Sequence, residues 1–295
     1  MPTHSAALFV TCLVDLFYPE IGEATVSVLR KHGVEVTFPR DQICCGQPVF
    51  NSGFRADAAA VARHTLRVFK DAEAVVLPSG SCADMVREHY PHLFDNPQEK
   101  EAAHAFAQKC YELTEYLSKV LSVTEYDSEF AGKITYHDSC HMCRGLGLRQ
   151  EPRTAIAGVK GAELIEMPMS DECCGFGGSF SVRLPEVSEA IMVKKLQAAQ
   201  SSGAETLVTA DPGCMLHMAG GLSRRGDTLK IMHIAQLLAG KAPPAAASAS
   251  RAAPAGDTPT SCTPQPASSA VRRDSSDVPR HSERVVAPAP GSAGE

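Results

Sequence analysis

The chain has 295 residues, 44% of them hydrophobic, and a formal net charge of −6. That length suits about two domains, and the acidic balance gives no electrostatic footprint for nucleic acid or another polyanion. No apolar run reaches the ~18–20 residues of a membrane span. The apolar start, Ala6–Phe17, lacks a basic leader region and a small-residue cleavage site and is broken by Asp15, so a buried strand in a cytoplasmic protein is expected rather than a secretory signal.

In chain order, a strand-like run Ala6–Thr11 leads to Cys12. A helical stripe follows over Phe17–His32 (Ile21, Ala24, Val28, Leu29), stopped by Gly33, and Val34–Phe38 reads as a short strand ending at Pro39. Arg55–Lys70 is expected as a second helix and Ala74–Leu77 as a buried strand. Gln98–Leu121 reads as a helical connector, with Cys110 on it as core or interface. Strand Lys133–Tyr136, helix Arg153–Val159, strand Ala162–Met167, helix Glu186–Gln200 and strand Glu205–Thr209 then follow. On the last helix, Ile191–Leu196 is the core stripe and the opposite Lys, Arg and Glu positions are expected in solvent. Strands alternating with helices argue for α/β units with parallel sheets. From Lys241 to Glu295 the composition turns to Ala, Pro, Ser and Gly, a disordered tail that removes Cys262 from the fold.

Eleven cysteines in such a chain point to metal or redox chemistry, because disulfides are disfavoured in the cytosol and an odd count fits them poorly. Their placement repeats. Cys140 lies 128 residues after Cys12, Cys173 129 after Cys44, and Cys214 132 after Cys82, with Cys-Cys-Gly at 44–46 and again at 173–175. A period this long suits a duplicated domain rather than a solenoid. The expected organisation is a first cysteine-rich domain over 1–121, with the connector from about 98, a second over 122–240, and the tail over 241–295.

In an open parallel sheet, ligands collect at the carboxyl ends of the strands. Cys12, Cys82, Cys140 and Cys214 follow expected strands, and each CCG lies in a loop after one. Cys12, Cys44, Cys45 and Cys82 are therefore expected to converge on one site, and Cys140, Cys173, Cys174 and Cys214 on a second. Gly46 and Gly175 permit positive φ after each pair, and backbone N–H groups in such turns favour a negatively charged cluster. Structural zinc prefers two CxxC-like knuckles, and no such pair is present here; the ferredoxin run CxxCxxCxxxC is absent too. Neighbouring thiolates suit different irons of one cluster better than a single tetrahedral ion. Iron–sulfur in at least one half is the leading reading, with zinc, and free thiols or disulfides, as the alternatives.

Other residues near these cysteines have two readings each. Cys143 is a further ligand or a small buried thiol. His137, Asp138, His141 and Arg144 surround Cys140: histidines there can shuttle protons and Arg144 can clamp a carboxylate, or the group supports the ligands from outside. Arg183 and Arg40 are weaker candidates for substrate contact. No GxGxxG opens a helix after a strand, so a hydride step is not expected from this chain alone.

The stretches FVTCLVDLFYPEIGEATVSVLRKHGVEVTFP, CCGQPVFNSG, PSGSCADMVREHYP, TYHDSCHMCRGLG, CCGFGGSFSVRLPEVS and TADPGCMLHMAGGL resemble the CCG, or cysteine-rich, domain family of iron–sulfur oxidoreductases over about 1–240. Heterodisulfide reductase B and the iron–sulfur subunits of glycolate oxidase and anaerobic glycerol-3-phosphate dehydrogenase belong to it. The chain is most similar to its stand-alone two-CCG proteins of lactate utilisation. The resemblance implies one or two clusters, 4Fe-4S in type, with zinc in one half of some relatives. It also implies a ferredoxin-type partner and a third small subunit, and oxidation of L-lactate, a small 2-hydroxy acid, to pyruvate. Relatives with a five-thiolate non-cubane cluster carry a cysteine three residues after the last one, where Met85 and His217 stand here. Four cysteines per half is the resulting expectation, and cluster-based thiol–disulfide chemistry and a zinc-stabilised assembly scaffold are the alternative functions. If either half meets substrate, the second, with Cys143 and the His/Arg group, is the expected one.

Overall fold

A computed structural model of the chain describes residues 4–243. The expected tail beyond that point, 244–295 with Cys262, lies outside the described residues. The first half runs β1 (His4–Leu8), α1 (Cys12–Phe17), α2 (Pro19–Lys31), β2 (Val34–Thr37), α3 (Gln47–Asn51), α4 (Arg55–Val68), β3 (Val75–Leu77), α5 (Gly80–Asp84), α6 (Pro97–Gln108), β4 (Cys110–Glu112) and α7 (Leu113–Glu115). The second runs β5 (Glu129–His137), α8 (Gln150–Ala157), β6 (Lys160–Leu164), α9 (Ser179–Arg183), α10 (Pro185–Ser201), β7 (Thr206–Thr209), α11 (Pro212–Arg225), β8 (Lys230–His233) and α12 (Ile234–Leu238).

Local chemistry sets the element ends. Pro19 opens α2, where its missing N–H costs nothing, and Ile21, Ala24, Val28 and Leu29 form its buried stripe. Asn96 caps α6 by accepting from the Gln98 and Glu99 N–H groups. Asp211 and Pro212 start α11, and Gly226, in a left-handed conformation, ends it.

The two sheets have the same topology. Their orders are β2-β1-β3-β4 and β6-β5-β7-β8, and every pairing is parallel. In each, the strand order reverses between the two central strands, which opens a crevice at their carboxyl ends. Residues Ala6–Leu8 and Val75–Leu77 are buried throughout, as strands covered on both faces should be. One apolar core passes through both sheets: Leu8, Ile21, Val76 and Leu113 join Tyr136, Leu207 and Leu237 in it. Each such aliphatic side chain stabilises the fold by roughly 1.5–3 kcal/mol on burial, and α12 packs on α2 across the two halves.

The connector differs from its expected form. It is helical over Pro97–Gln108, but Cys110 lies in β4 and not on a helix, paired with Val75 at the sheet edge. Three residues are too few to show strand alternation, and it is the long-range pairing that makes this segment a strand. The counterpart β8 was equally invisible to periodicity. Among the described residues, no helix is long and apolar enough to cross a membrane.

Candidate metal centre

Both cysteine quartets sit at the crevices the strand order creates. Cys12 opens α1 after β1, Cys44 and Cys45 occupy the loop after β2, and Cys82 lies in α5 after β3. The second half repeats this with Cys140 after β5, Cys173 and Cys174 after β6, and Cys214 in α11 after β7. The Cys12 thiol donates to the Cys44 sulfur at 3.5 Å, and further sulfur contacts link Cys44 to Cys45 and Cys45 to Cys82. In the second half Cys174 donates to Cys214 at 3.0 Å, and Cys140 and Cys174 both contact Cys173. These separations are far beyond the ~2.05 Å of a disulfide, and all eight are free thiols.

Backbone geometry brings this about. Gly46 (φ 85°) and Gly175 (φ 91°) turn the chain after each pair and donate N–H groups back to the sulfurs of Cys44 at 3.4 Å and Cys173 at 3.3 Å. Thr11, directly before Cys12, holds φ 73°, a costly conformation for a β-branched residue, of the kind that functional sites retain.

The electrostatics concentrate negative charge on one sulfur per half. Hydrogen bonds from Cys12, Cys45 and the Gly46 N–H push Cys44 down to about 3, against burial. Cys173 is likewise pushed down to about 2 by Cys140, Cys174 and the Gly175 N–H. Cys12, Cys45, Cys140 and Cys174 are pushed up, first by hydrogen bonding to those neighbouring sulfurs and then by burial. For Cys214, burial and Asp211 outweigh the lowering effect of its bond with Cys174.

The two quartets are not separate pockets. All eight cysteines line a single cavity of about 150 Å³, together with His141, Phe176 and Asp211. Asp211 is the bridge: its carboxylate accepts from the Gly213 and Cys214 N–H groups at 3.0 and 3.2 Å and, across the halves, from the Ser81 N–H at 2.8 Å. Gly80 N–H donates to the Ala210 carbonyl beside it, at 3.2 Å. The only sequence signal for this was the DPGC string, which reads as an Asp helix cap with Pro behind it. A second cross-half contact, also missed, sets the buried Asp84 carboxylate 4.0 Å from His141 Nε2 and 3.5 Å from His89 Nε2. Burial pushes Asp84 up, with the two histidines opposing.

The remaining candidates fall in different places. His141 lines the cavity, with Nδ1 3.6 Å from the Cys140 sulfur. His137 is fully buried at the end of β5, and burial pushes its pKa down to about 4. Arg144 and Arg183 are exposed and do not line the cavity, while Arg40 borders a separate surface cleft of about 270 Å³ beside Cys12 and Cys44. Cys143 is buried, with its sulfur 4.0 Å from the Asp138 and Cys140 carbonyls, and does not line the cavity. Cys110 is core. Met85 is fully buried, and His217 bonds Ser188 Oγ at 3.2 Å.

Two buried polar groups beside the second quartet stand out. Asp138 forms a two-point pair with Arg153 at 2.8 and 2.9 Å and accepts from Ser170. Lys195, expected in solvent with its neighbour Lys194, is only 2% exposed, a correction to the helix-face reading. Its amine reaches past the α10 surface to donate to the Met169 and Ser170 carbonyls, partners that lie on a distant loop and leave no trace in helical periodicity.

The donor set suits a soft metal or an iron–sulfur cluster: thiols converging from three loops, N–H groups aimed at sulfur, and one wall of buried polar groups. The cysteine-rich domain family, CCG, matches residues 6–87 and 134–219. Lactate utilization protein A of Shouchella clausii is 46% identical over 237 residues, covering 80% of this chain and 99% of that protein. The protein of the same name from Bacillus subtilis is 46% identical over 233 residues, covering 79% and 98%. Among solved structures, a hypothetical protein from Helicobacter pylori superposes with a TM-score of 0.55 at 13% identity. It covers 81% of this chain, which spans about half (49%) of that one, and the likeness is one of fold.

Proposed function

The chain belongs to the cysteine-rich CCG domain family and is related to lactate utilization protein A, and on that footing we propose that it serves lactate utilization as an iron–sulfur redox component. In this reading it is a cytoplasmic subunit of a multi-subunit oxidoreductase that converts L-lactate to pyruvate, working with a ferredoxin-type iron–sulfur subunit and a third small subunit. The observation that carries it is the single cavity lined by all eight cysteines.

Cys12, Cys44, Cys45 and Cys82 would hold one centre, and Cys140, Cys173, Cys174 and Cys214 the other. When bound, clusters at these positions supply one-electron transfer. The chain's own residues set the conditions for it. Gly46 and Gly175 direct N–H groups at ligand sulfurs, which favours the more negative, reduced state and raises its potential. Burial of Cys45, Cys82, Cys174 and Cys214 excludes water from the inner side of each quartet. Oxidation of lactate breaks its C2–H and O–H bonds, forms the carbonyl, and releases two electrons and two protons. Two adjacent one-electron sites suit a two-electron donor delivered through a partner. His141, between the cavity and the Asp84–His89 pair, is placed to hold a proton at Nε2 or Nδ1.

Anaerobic purification followed by iron, acid-labile sulfide and zinc analysis tests the proposal. Iron and sulfide are expected with the chain. Zinc without either would overturn the redox role, as would full lactate oxidation by the co-purified partner subunits in the absence of this chain.

A further inference from the structure

Beyond the eight cysteines, one buried polar side chain faces the second quartet with nothing to bond. His137 is the last residue of β5, fully buried, and neither of its ring nitrogens has a hydrogen-bond partner among the described residues. A ring nitrogen of His137 and the sulfurs of Cys174 and Cys214 all lie within 4.8 Å of one another. Buried polar groups are normally paired, and imidazole beside thiolates is a donor set that zinc and iron both accept. The nearby polar groups are already engaged and leave His137 free. Lys195 is spent on two carbonyls, and Asp211 accepts from three N–H groups. The first half offers nothing equivalent, because the residue 128 positions before His137 is Phe9, fully buried and packed on Phe69 at 4.9 Å between ring centroids.

We propose that His137 is a nitrogen ligand of the centre in the second half, next to Cys174 and Cys214, making that centre a mixed thiolate–imidazole site while the first is bound by thiolates alone. This rests on the reading that the second quartet holds metal, and the test separates the two.

The full chain, purified anaerobically, is compared with His137→Phe, which copies the first half, with His137→Cys, and with Cys174→Ala. Metal content is measured on each, together with X-ray absorption at the edge of the bound metal. Wild type is expected to show a nitrogen neighbour beside sulfur, at ~2.0–2.1 Å against ~2.3 Å if the metal is zinc. His137→Phe should lose that nitrogen and bind metal at the second half at least about tenfold more weakly. His137→Cys should regain the metal with sulfur neighbours only. A sulfur-only shell in wild type, or unchanged metal and spectrum in His137→Phe, overturns the proposal and leaves His137 a core histidine. If Cys174→Ala then still loses metal, the wider reading stands; if it too keeps its metal, both fall. Should His137→Phe not fold, the nitrogen neighbour in wild type decides alone.

Discussion

Three and two residues ahead of Cys12 stand Phe9 and Val10, buried side chains of carbon alone. Ahead of Cys140 the same positions carry His137 and Asp138, the latter locked to Arg153. The contrast continues around each quartet. Gly46 abuts Ala58 and Val61 of α4 where Gly175 abuts Ser188 and Ile191 of α10, so Thr65 in the first half corresponds to Lys195 in the second. Ser79 caps the helix of Cys82, and Asp211 caps that of Cys214. At these matching positions the same strand order and cysteine spacing thus enclose two environments, the first with Phe9, Val10, Thr65 and Ser79 and the second with His137, Asp138, Lys195 and Asp211. Cluster potentials respond to local charge and to hydrogen bonds at sulfur, so the duplication yields two centres of different character. The edge strands diverge in the same way: each ends on a buried helix cap, Glu112 as the last residue of β4 and His233 as the last of β8, one acid and one base in matching places.

The largest expected effect tests whether there are two centres at all. Cys45→Ala and Cys174→Ala should each remove about half of the bound metal, the loss confined to the altered half. Because one cavity holds both quartets, a variant that empties both would show that the halves share a single site.

Next comes the ion pair between Arg153 and the buried Asp138 beside the second quartet. Arg153→Ala leaves the fully buried Asp138 carboxylate uncompensated, and chemical denaturation should show a loss of about 3–5 kcal/mol. Replacing both partners, Asp138→Val with Arg153→Leu, imitates the first half and should cost far less, because no charge is stranded.

The two caps should give opposite pH slopes. Burial pushes the Glu112 carboxyl up to about 8, with the hydrogen bonds from Thr114 and Glu115 opposing. Folded protein therefore keeps a proton that the unfolded chain releases above about pH 4.5, and stability falls as pH rises from there to about 8. Burial pushes His233 down to about 4, so the unfolded chain takes up a proton below its ordinary 6.5 that the folded chain refuses, and stability falls as pH drops from 6.5 to 4. Denaturation across pH should show Glu112→Gln removing a slope of up to ~1.4 kcal/mol per pH unit on the alkaline side, and His233→Asn, which keeps a capping oxygen, doing the same on the acid side. An unchanged profile in either variant would break the comparison.

The smallest effect concerns the turn glycines. Gly46→Ala meets a movable Val61 methyl at 3.1 Å and should cost ~1 kcal/mol for its positive φ. Gly175→Ala drives a carbon to 2.5 Å from the Ser188 carbonyl oxygen, which is backbone and cannot step aside. Thermal unfolding should show it costing at least about twice as much. Equal shifts would mean the two CCG turns are built alike after all.

Much of the architecture was legible because its signals are local. Helical stripes such as Ile21–Leu29, breaks such as Gly33, and strand-end cysteines each lie within one turn or one strand of the residues that explain them. The repeat added a long-range fact at no cost, since constant offsets imply that whatever one half builds, the other builds too. What could not be read were contacts that join residues far apart in the chain and in different halves: Asp211 to Ser81, Asp84 to His141, and the cavity that all eight cysteines line. Lys195 was misplaced because helical periodicity reports which face a residue occupies and not how far a long side chain can reach. Cys110 was misplaced because a three-residue edge strand is defined by its neighbour's hydrogen bonds.

By itself, then, the sequence determined the alternation of strand and helix, the twofold repeat, and the presence of four cysteines at the strand ends of each half. Tertiary structure alone decided that both quartets open on one cavity, that His137 comes to lie beside Cys174 and Cys214, and that Asp138 and Lys195 are buried. The physical reason is that burial and desolvation are collective: a residue's polarity is written in the chain, but whether water or another side chain answers it depends on surfaces brought together only by folding.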